Sequence, residues 1–256
     1  MNIKEKFVLT ALAAIFIISF GLIVWHFASQ AFMLYRSEQA RQVAREVLPR
    51  YIYEFAMYET HEQQISFMDF DALRAAFGND DIIAHLHVYG TAINYLVVQT
   101  ANNTFYQNHD IWRNRSAAGW VFLDYEVDLQ AQDHNIVIYA HNMRREHKFH
   151  SLRHFNSYNF FRLHPYIYLT TPYGEYRWHI FSFYSTFIDF SYNIINFPNE
   201  AARSEMIRIF EANSMHNAGV SVSPDDRILT LSTCTNRNRD ERYVLHARLI
   251  SFHQAK

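Results

Sequence analysis

A single cysteine, Cys234, and only six glycines stand in a chain of 256 residues. One thiol cannot form an intramolecular disulfide, which excludes a disulfide-stapled scaffold and leaves Cys234 as either buried filler or a reactive group. Exported proteins often use disulfides, so their absence points to a cell envelope without that machinery. Net charge is also small: 23 Lys and Arg against 25 Asp and Glu leave −2, which provides no basic footprint for nucleic acid. There are no repeats and no low-complexity tracts. With glycine rare and Phe, Tyr and Trp at 17%, core packing must lean on aromatic rings.

Long apolar runs are equally scarce, and there is one. Phe7 to Phe27 holds no Lys, Arg, Asp or Glu, and at about 1.5 Å per residue it spans roughly 30 Å, one bilayer core. Lys4 and Lys6 precede it and Trp25 sits near its far end, which favours a cytoplasmic N-terminus and an exported remainder. The alternative is a cleaved signal peptide, since Ser29-Gln30-Ala31 resembles a cleavage site, but such peptides have apolar cores of only about 7–15 residues. The expectation is a single-pass protein: a cytoplasmic tail over 1–6, an anchor over 7–27, an N-terminal helical region over 28–78 and a catalytic domain over 79–256. The roughly 230 residues beyond the anchor suffice for one domain with its own core.

Residues 30–60 read as helix, with Val43, Val47 and Leu48 on one face and a bend near Pro49. Phe67 to Phe77 is a second helical stretch, with Asp69 or Asp71 near its start. After Gly78-Asn79-Asp80 the pattern changes to strands, expected near 82–88, 93–99, 118–125, 135–140, 165–171, 175–187, 227–233 and 242–251. Eight short strands suggest a barrel or sandwich. Two insertions interrupt them. Met143 to Asn156 carries Phe149, Leu152 and Phe155 at helical spacing. Asp189 to Ser223 contains a helix over Glu200 to Asn213, capped by Asn199, with Ala202, Met206, Ile209 and Phe210 as its apolar face.

Cys234 ends the strand Ile228-Leu-Thr-Leu-Ser-Thr-Cys234, a polar loop follows, and Arg242 opens the next strand, Arg-Tyr-Val-Leu-His-Ala-Arg-Leu-Ile250. Cross-strand neighbours have Cβ atoms roughly 5 Å apart, so a thiol and a guanidinium here can address one substrate atom. His141 ends another strand, Ile136-Val-Ile-Tyr-Ala140, where an imidazole is well situated to titrate. Among 15 histidines it gains weight only beside Cys234 and Arg242.

Taken together, these segments resemble sortases, the membrane-anchored transpeptidases of Gram-positive bacteria, and specifically class B. The similarity is dense from Asp80 to Ile250, through Ile93-Asn-Tyr-Leu-Val-Val-Gln99, Gly119-Trp-Val-Phe-Leu-Asp-Tyr125, Ile138-Tyr-Ala-His-Asn-Met143, Leu231-Ser-Thr-Cys234 and Arg242-Tyr-Val-Leu-His246. The resemblance implies a mainly β fold, the eight-stranded sortase β-barrel with N-terminal helices and a helix in the connection between strands six and seven, preceded by one transmembrane helix. It assigns Cys234, His141 and Arg242 as the catalytic set. It implies cleavage after Thr in a C-terminal sorting motif of the Asn-Pro-x-Thr-Asn or Ser/Pro-Pro-x-Thr-Gly type. The surface protein then passes through a thioester to an amine of a peptidoglycan precursor or a pilin, with no cofactor.

Ser232 lies two residues before the cysteine on the same strand face and can offer its hydroxyl to the substrate peptide, or serve as an ordinary strand serine. Asn103 matches a family asparagine near the groove, and Tyr192 and Ile194 lie in the insertion that walls it. This chain departs from the family pattern at Ala140, where a glycine normally precedes the histidine, and also at Ala84-His85, Leu96 and Thr235. Were a positive φ needed at 140, alanine would be strained by about 1 kcal/mol or more. Three rival readings exist. His147, His150 and His154 at helical spacing are a candidate zinc set, though no carboxylate completes it. A non-catalytic sortase-like envelope binding module would keep the barrel alone. A papain-like protease would carry its cysteine at the start of a helix, not at the end of a strand.

Overall fold

The computed structural model describes residues 3–47, 68–131, 133–143, 147–235, 237–238 and 240–255. It divides into two compact units, 1–39 and 40–256. The first is the greater part of helix α1 (Ile3–Val47), which contains a stretch long and apolar enough to cross a membrane. The last turns of α1 belong to the second unit, where Ala40 and Ala44 are buried in its core. Pro49 and the rest of the helix expected to residue 60 lie outside the described residues.

Helix α2 (Phe70–Phe77) is bounded as its sequence demands. The Asp69 carboxylate accepts from the Ala72 N–H at 2.9 Å, and Gly78 closes the other end in the left-handed region at φ 58°. Phe70, Leu73 and Phe77 are the buried face.

Eight strands close the barrel: β1 (Ile82–Val88), β2 (Asn94–Val98), β3 (Phe122–Leu123), β4 (Asn135–Tyr139), β7 (Tyr166–Thr171), β8 (Gly174–Phe187), β9 (Ile228–Cys234) and β10 (Glu241–Gln254). Around the barrel the order is β1-β2-β3-β4-β9-β10-β8-β7, with β1 returning to β7. The pairs β2–β3 and β4–β9 are parallel and the rest antiparallel. Between β4 and β7 lie the short hairpin β5 (Asn142–Met143) and β6 (His147–Lys148), a 3₁₀ helix over His150–Asn156 and helix α3 (Tyr158–Leu163). Helix α4 (Glu200–Asn213) lies in the connection between the sixth and seventh barrel strands, β8 and β9.

Alternation along each strand decides what the barrel encloses. Leu229 and Leu231 of β9, Ile136 and Ile138 of β4, and Tyr243, Leu245 and Ala247 of β10 join the main core, with Trp178 and Phe183 of β8. Outward-facing residues form a second cluster, Phe181, Tyr184, Ile228 and Val244, covered by Tyr192 and by Ile207 and Phe210 of α4. That helix starts on Asn199, whose side chain accepts from the Ala202 N–H at 2.9 Å. Its buried face centres on Ile207 and Phe210; Ala202, Met206 and Ile209 are only half-buried.

One local expectation is corrected and another made more specific. β3 is shorter than 118–125, because Gly119 turns into the left-handed region at φ 54° and the Trp120 N–H is drawn to the Tyr106 carbonyl at 2.8 Å. The helix expected around Phe149, Leu152 and Phe155 is a 3₁₀ helix over His150–Asn156, with Phe149 as its N-cap. A strict spacing of three aligns side chains at three residues per turn, and all three are fully buried.

Candidate active site

β4 and β9 run parallel with Tyr139 opposite Ser232, so their C-terminal ends reach one rim of the barrel together. Cys234 ends β9, half-buried and free of any disulfide. Its partner across the β9–β10 ladder is Arg242. The neighbouring rung is the Thr235 N–H to Glu241 carbonyl bond at 3.1 Å. By the antiparallel alternation, Cys234 and Arg242 are therefore a pair without ladder bonds, in which Cα atoms approach to about 4.5 Å and side chains lie closest. The Arg242 Nη1 donates to the Glu241 carbonyl at 3.1 Å. Cys234 and Arg242 are thus cross-strand neighbours at this rim.

His141 follows β4 by two residues. Its Nε2 contacts the Gln107 carbonyl at 2.9 Å. A carbonyl can only accept, so Nε2 carries a proton and Nδ1 is the nitrogen left to exchange one. This approach depends on Gly119. A Cβ there would lie 2.5 Å from the Tyr106 carbonyl, 2.8 Å from that of Gln107 and 3.0 Å from the His141 ring. No sequence signal marks Gln107, and Gly119 shows itself only as the first residue of Gly119-Trp-Val-Phe-Leu-Asp-Tyr125.

Ala140 has no positive φ; among the described non-glycine residues only Arg113 and Lys148 do. Its N–H donates to the Ser232 carbonyl at 3.3 Å, continuing the β4–β9 ladder. Alanine before the histidine is therefore unstrained.

The Ser232 hydroxyl is buried and shares a 2.8 Å hydrogen bond with the Tyr192 phenol. Burial raises the Tyr192 pKa; the bond to Ser232 and the Arg242 charge oppose the rise, and Cys234 adds to it. Tyr192 therefore feels both the guanidinium and the thiol. Its loop is pinned from below: the Asn135 side chain donates to the carbonyls of Ile194 at 2.9 Å and Tyr192 at 3.3 Å. The Ile194 side chain is exposed at this edge.

Asn103 is hydrogen-bonded within the fold on both sides of its amide. Its Nδ2 donates to Asp124 at 2.9 Å, and its Oδ1 accepts the Tyr125 N–H at 3.0 Å. Asp124 also accepts from the Tyr139 hydroxyl at 2.9 Å, which in turn takes the Asn193 amide at 3.2 Å. This network joins the Asn103 loop to the insertion beside Tyr192. No local pattern links Tyr139, Asp124 and Asn193, because only the third dimension brings them together.

The three-histidine zinc candidate does not assemble on one helix. His147 lies on β6, and only His150 and His154 share the 3₁₀ helix. His147 instead takes Arg41 at 2.9 Å. No group of three or more metal-binding side chains occurs among the described residues.

The chain is similar to several known proteins. A family model described as the Sortase domain matches residues 86–250. Sortase B of Listeria monocytogenes is 31% identical over 175 residues, covering 68% of this chain and 71% of the relative. A crystal structure of Clostridium perfringens sortase B superposes with a TM-score of 0.68 at 32% identity, covering 72% of this chain and all of the other. The Staphylococcus aureus sortase B–substrate complex gives 0.67 at 30% identity, over 71% and 84%.

Proposed function

The chain belongs to the sortase family, class B, and on that premise we propose that its Cys234 cleaves a C-terminal sorting motif after Thr and hands the new acyl group to an amine. As a family member it is a cysteine transpeptidase that anchors surface proteins. The finer chemistry rests on one observation above the others: Cys234 faces Arg242 across the end of β9 and β10, with His141 at the end of the adjacent parallel strand.

In the first half-reaction the Cys234 thiolate attacks the Thr carbonyl. The carbon–sulfur bond forms, the peptide C–N bond breaks, and His141 gives a proton to the departing amine. Arg242, a permanent cation with forked donors, supports the developing oxyanion and the substrate backbone. In the second half-reaction an acceptor amine attacks the thioester, His141 takes its proton, and the thiolate leaves. The acceptor is a peptidoglycan precursor or a pilin lysine, and water competes with it.

The substrate peptide runs along the wall made by Tyr192, Asn193 and Ile194 toward Cys234. Ser232 acts there through Tyr192, which it orients by hydrogen bond. Asn103 acts by bracing that wall through Asp124 and Tyr139. Motifs of the Asn-Pro-x-Thr-Asn or Ser/Pro-Pro-x-Thr-Gly type are the substrates to test. We assign residues 1–6 to a cytoplasmic tail, 7–27 to a retained membrane anchor, 28–78 to a helical region and 79–256 to an extracytoplasmic catalytic barrel in a Gram-positive envelope.

The test incubates the protein with a library of both motif types and triglycine, and reads joined products by mass spectrometry. A product joined at Thr, absent from Cys234→Ala, is expected. Transfer by Cys234→Ala above a few per cent of wild type would overturn the nucleophile assignment.

A further inference from the structure

β4 leaves β9 at Tyr139, opposite Ser232. One further rung follows, from the Ala140 N–H to the Ser232 carbonyl. Rungs on one side of a parallel ladder recur every two residues, so the next would run from the N–H of residue 142 to the Cys234 carbonyl. The backbone has already turned away there, because Asn142 opens the β5–β6 hairpin and pairs with Lys148. The missing rung is made by a side chain instead: Asn142 Nδ2 donates to the Cys234 carbonyl at 2.7 Å.

The orientation of that amide is itself determined. Asn142 Oδ1 contacts His150 Nδ1 at 2.7 Å, and His150 Nε2 contacts Arg153 Nη1 at 3.1 Å. Arginine can only donate, so Nε2 accepts, Nδ1 carries the imidazole proton, and Oδ1 receives it. With Oδ1 engaged, Nδ2 faces Cys234. The His141 carbonyl accepts the Phe149 N–H at 3.1 Å, so the dipeptide His141-Asn142 is held to the same turn that carries His150.

We propose that Asn142, oriented by His150 and Arg153, is a positioning residue that fixes the Cys234 peptide relative to His141. The proposal rests on Cys234 as the nucleophile. Its importance follows from the steepness of catalysis in geometry: a displacement of about 1 Å can cost roughly 10²-fold.

The experiment uses the full chain in detergent, a mixture of quenched Asn-Pro-x-Thr-Asn peptides with triglycine as acceptor, and iodoacetamide as a substrate-independent probe of the thiol. Asn142→Asp keeps the shape and replaces the donor with an oxygen that repels the Cys234 carbonyl. It should lower kcat by about 10–100-fold with KM within about twofold, and change the alkylation rate of Cys234. His150→Leu removes the donor to Asn142 and should lower kcat by about 3–10-fold, whereas His150→Gln, which keeps a donor, should stay within about twofold. A merely structural role would lower melting temperature without this Gln/Leu difference. Wild-type kcat in Asn142→Asp, or equal losses in His150→Gln and His150→Leu, would overturn the proposal. Cys234→Ala separates the two failures: activity there defeats the nucleophile assignment, whereas an inactive Cys234→Ala beside a fully active Asn142→Asp defeats only the positioning role.

Discussion

Acidification from pH 7 to pH 5 should destabilise this protein through His246, and the hydrogen bonds around that residue say by how much. Thr230 has one hydroxyl proton and gives it to Asn135 Oδ1 at 2.6 Å, so it accepts from His246 Nδ1 at 2.9 Å. The other nitrogen, Nε2, then accepts from the Tyr184 hydroxyl at 2.8 Å. The ring is fully buried and stacks on Phe210 at 3.7 Å. This is a cage for neutral imidazole, and burial pushes the His246 pKa from 6.5 down to about 3. The folded value lies below the unfolded one, so the stabilisation is complete above pH 6.5 and is lost as pH falls toward 3. Between pH 7 and 5 the unfolded chain takes up most of one proton at this residue and the folded chain almost none, a loss of about 2 kcal/mol.

His85, also buried and pushed down to about 4 despite its bond to Asn94, adds a similar amount with the same sign. Glu175, raised by burial, works oppositely, because the folded state binds its proton first as pH falls. Thermal melts followed by near-ultraviolet circular dichroism would compare wild type with His246→Gln at both pH values. Glutamine can donate and accept but does not titrate. The variant melts lower at pH 7, and its deficit should shrink at pH 5 by the equivalent of about 2 kcal/mol, about 4–8 °C for a domain of this size. An unchanged deficit at the two pH values would refute the neutral cage.

Arg242→Lys keeps the charge but loses the fork, and should lower kcat about 10²–10³-fold with an unchanged melting temperature; a loss under threefold in the peptide assay would make Arg242 a strand residue only. Gly119→Ala forces a Cβ to within 2.5 Å of the Tyr106 carbonyl at a positive φ; it should lower both melting temperature and kcat, and a wild-type rate would mean that His141 does not depend on the Gln107 contact. In cells, the chain should fractionate with membranes and keep its N-terminus through Phe7–Phe27, with the barrel accessible to external protease once the wall is removed. Recovery of a soluble form beginning just after Ala31 would identify a cleaved signal peptide.

What the sequence by itself determined is whatever repeats locally or sits in a contiguous motif. Alternation and turn residues located all eight barrel strands, and Asn199 announced one helix start because a cap is a contact within three residues, while the choice between Asp69 and Asp71 for another was made only by the structure. The hairpin of Cys234 and Arg242 was legible for the same reason, since a short loop leaves few ways for its strands to pair. Only the tertiary structure decided the rest. Whether Ala140 was strained depended on a φ that β9 imposes through the Ser232 carbonyl. Phe149, Leu152 and Phe155 announced a helix by their spacing, and the structure gives it the 3₁₀ form over His150–Asn156. Gly119 beneath His141, Asn142 beneath Cys234, and the ladder from Asn135 to Tyr184 join residues tens of positions apart. Their meaning is set by closure of the barrel, which no local periodicity encodes.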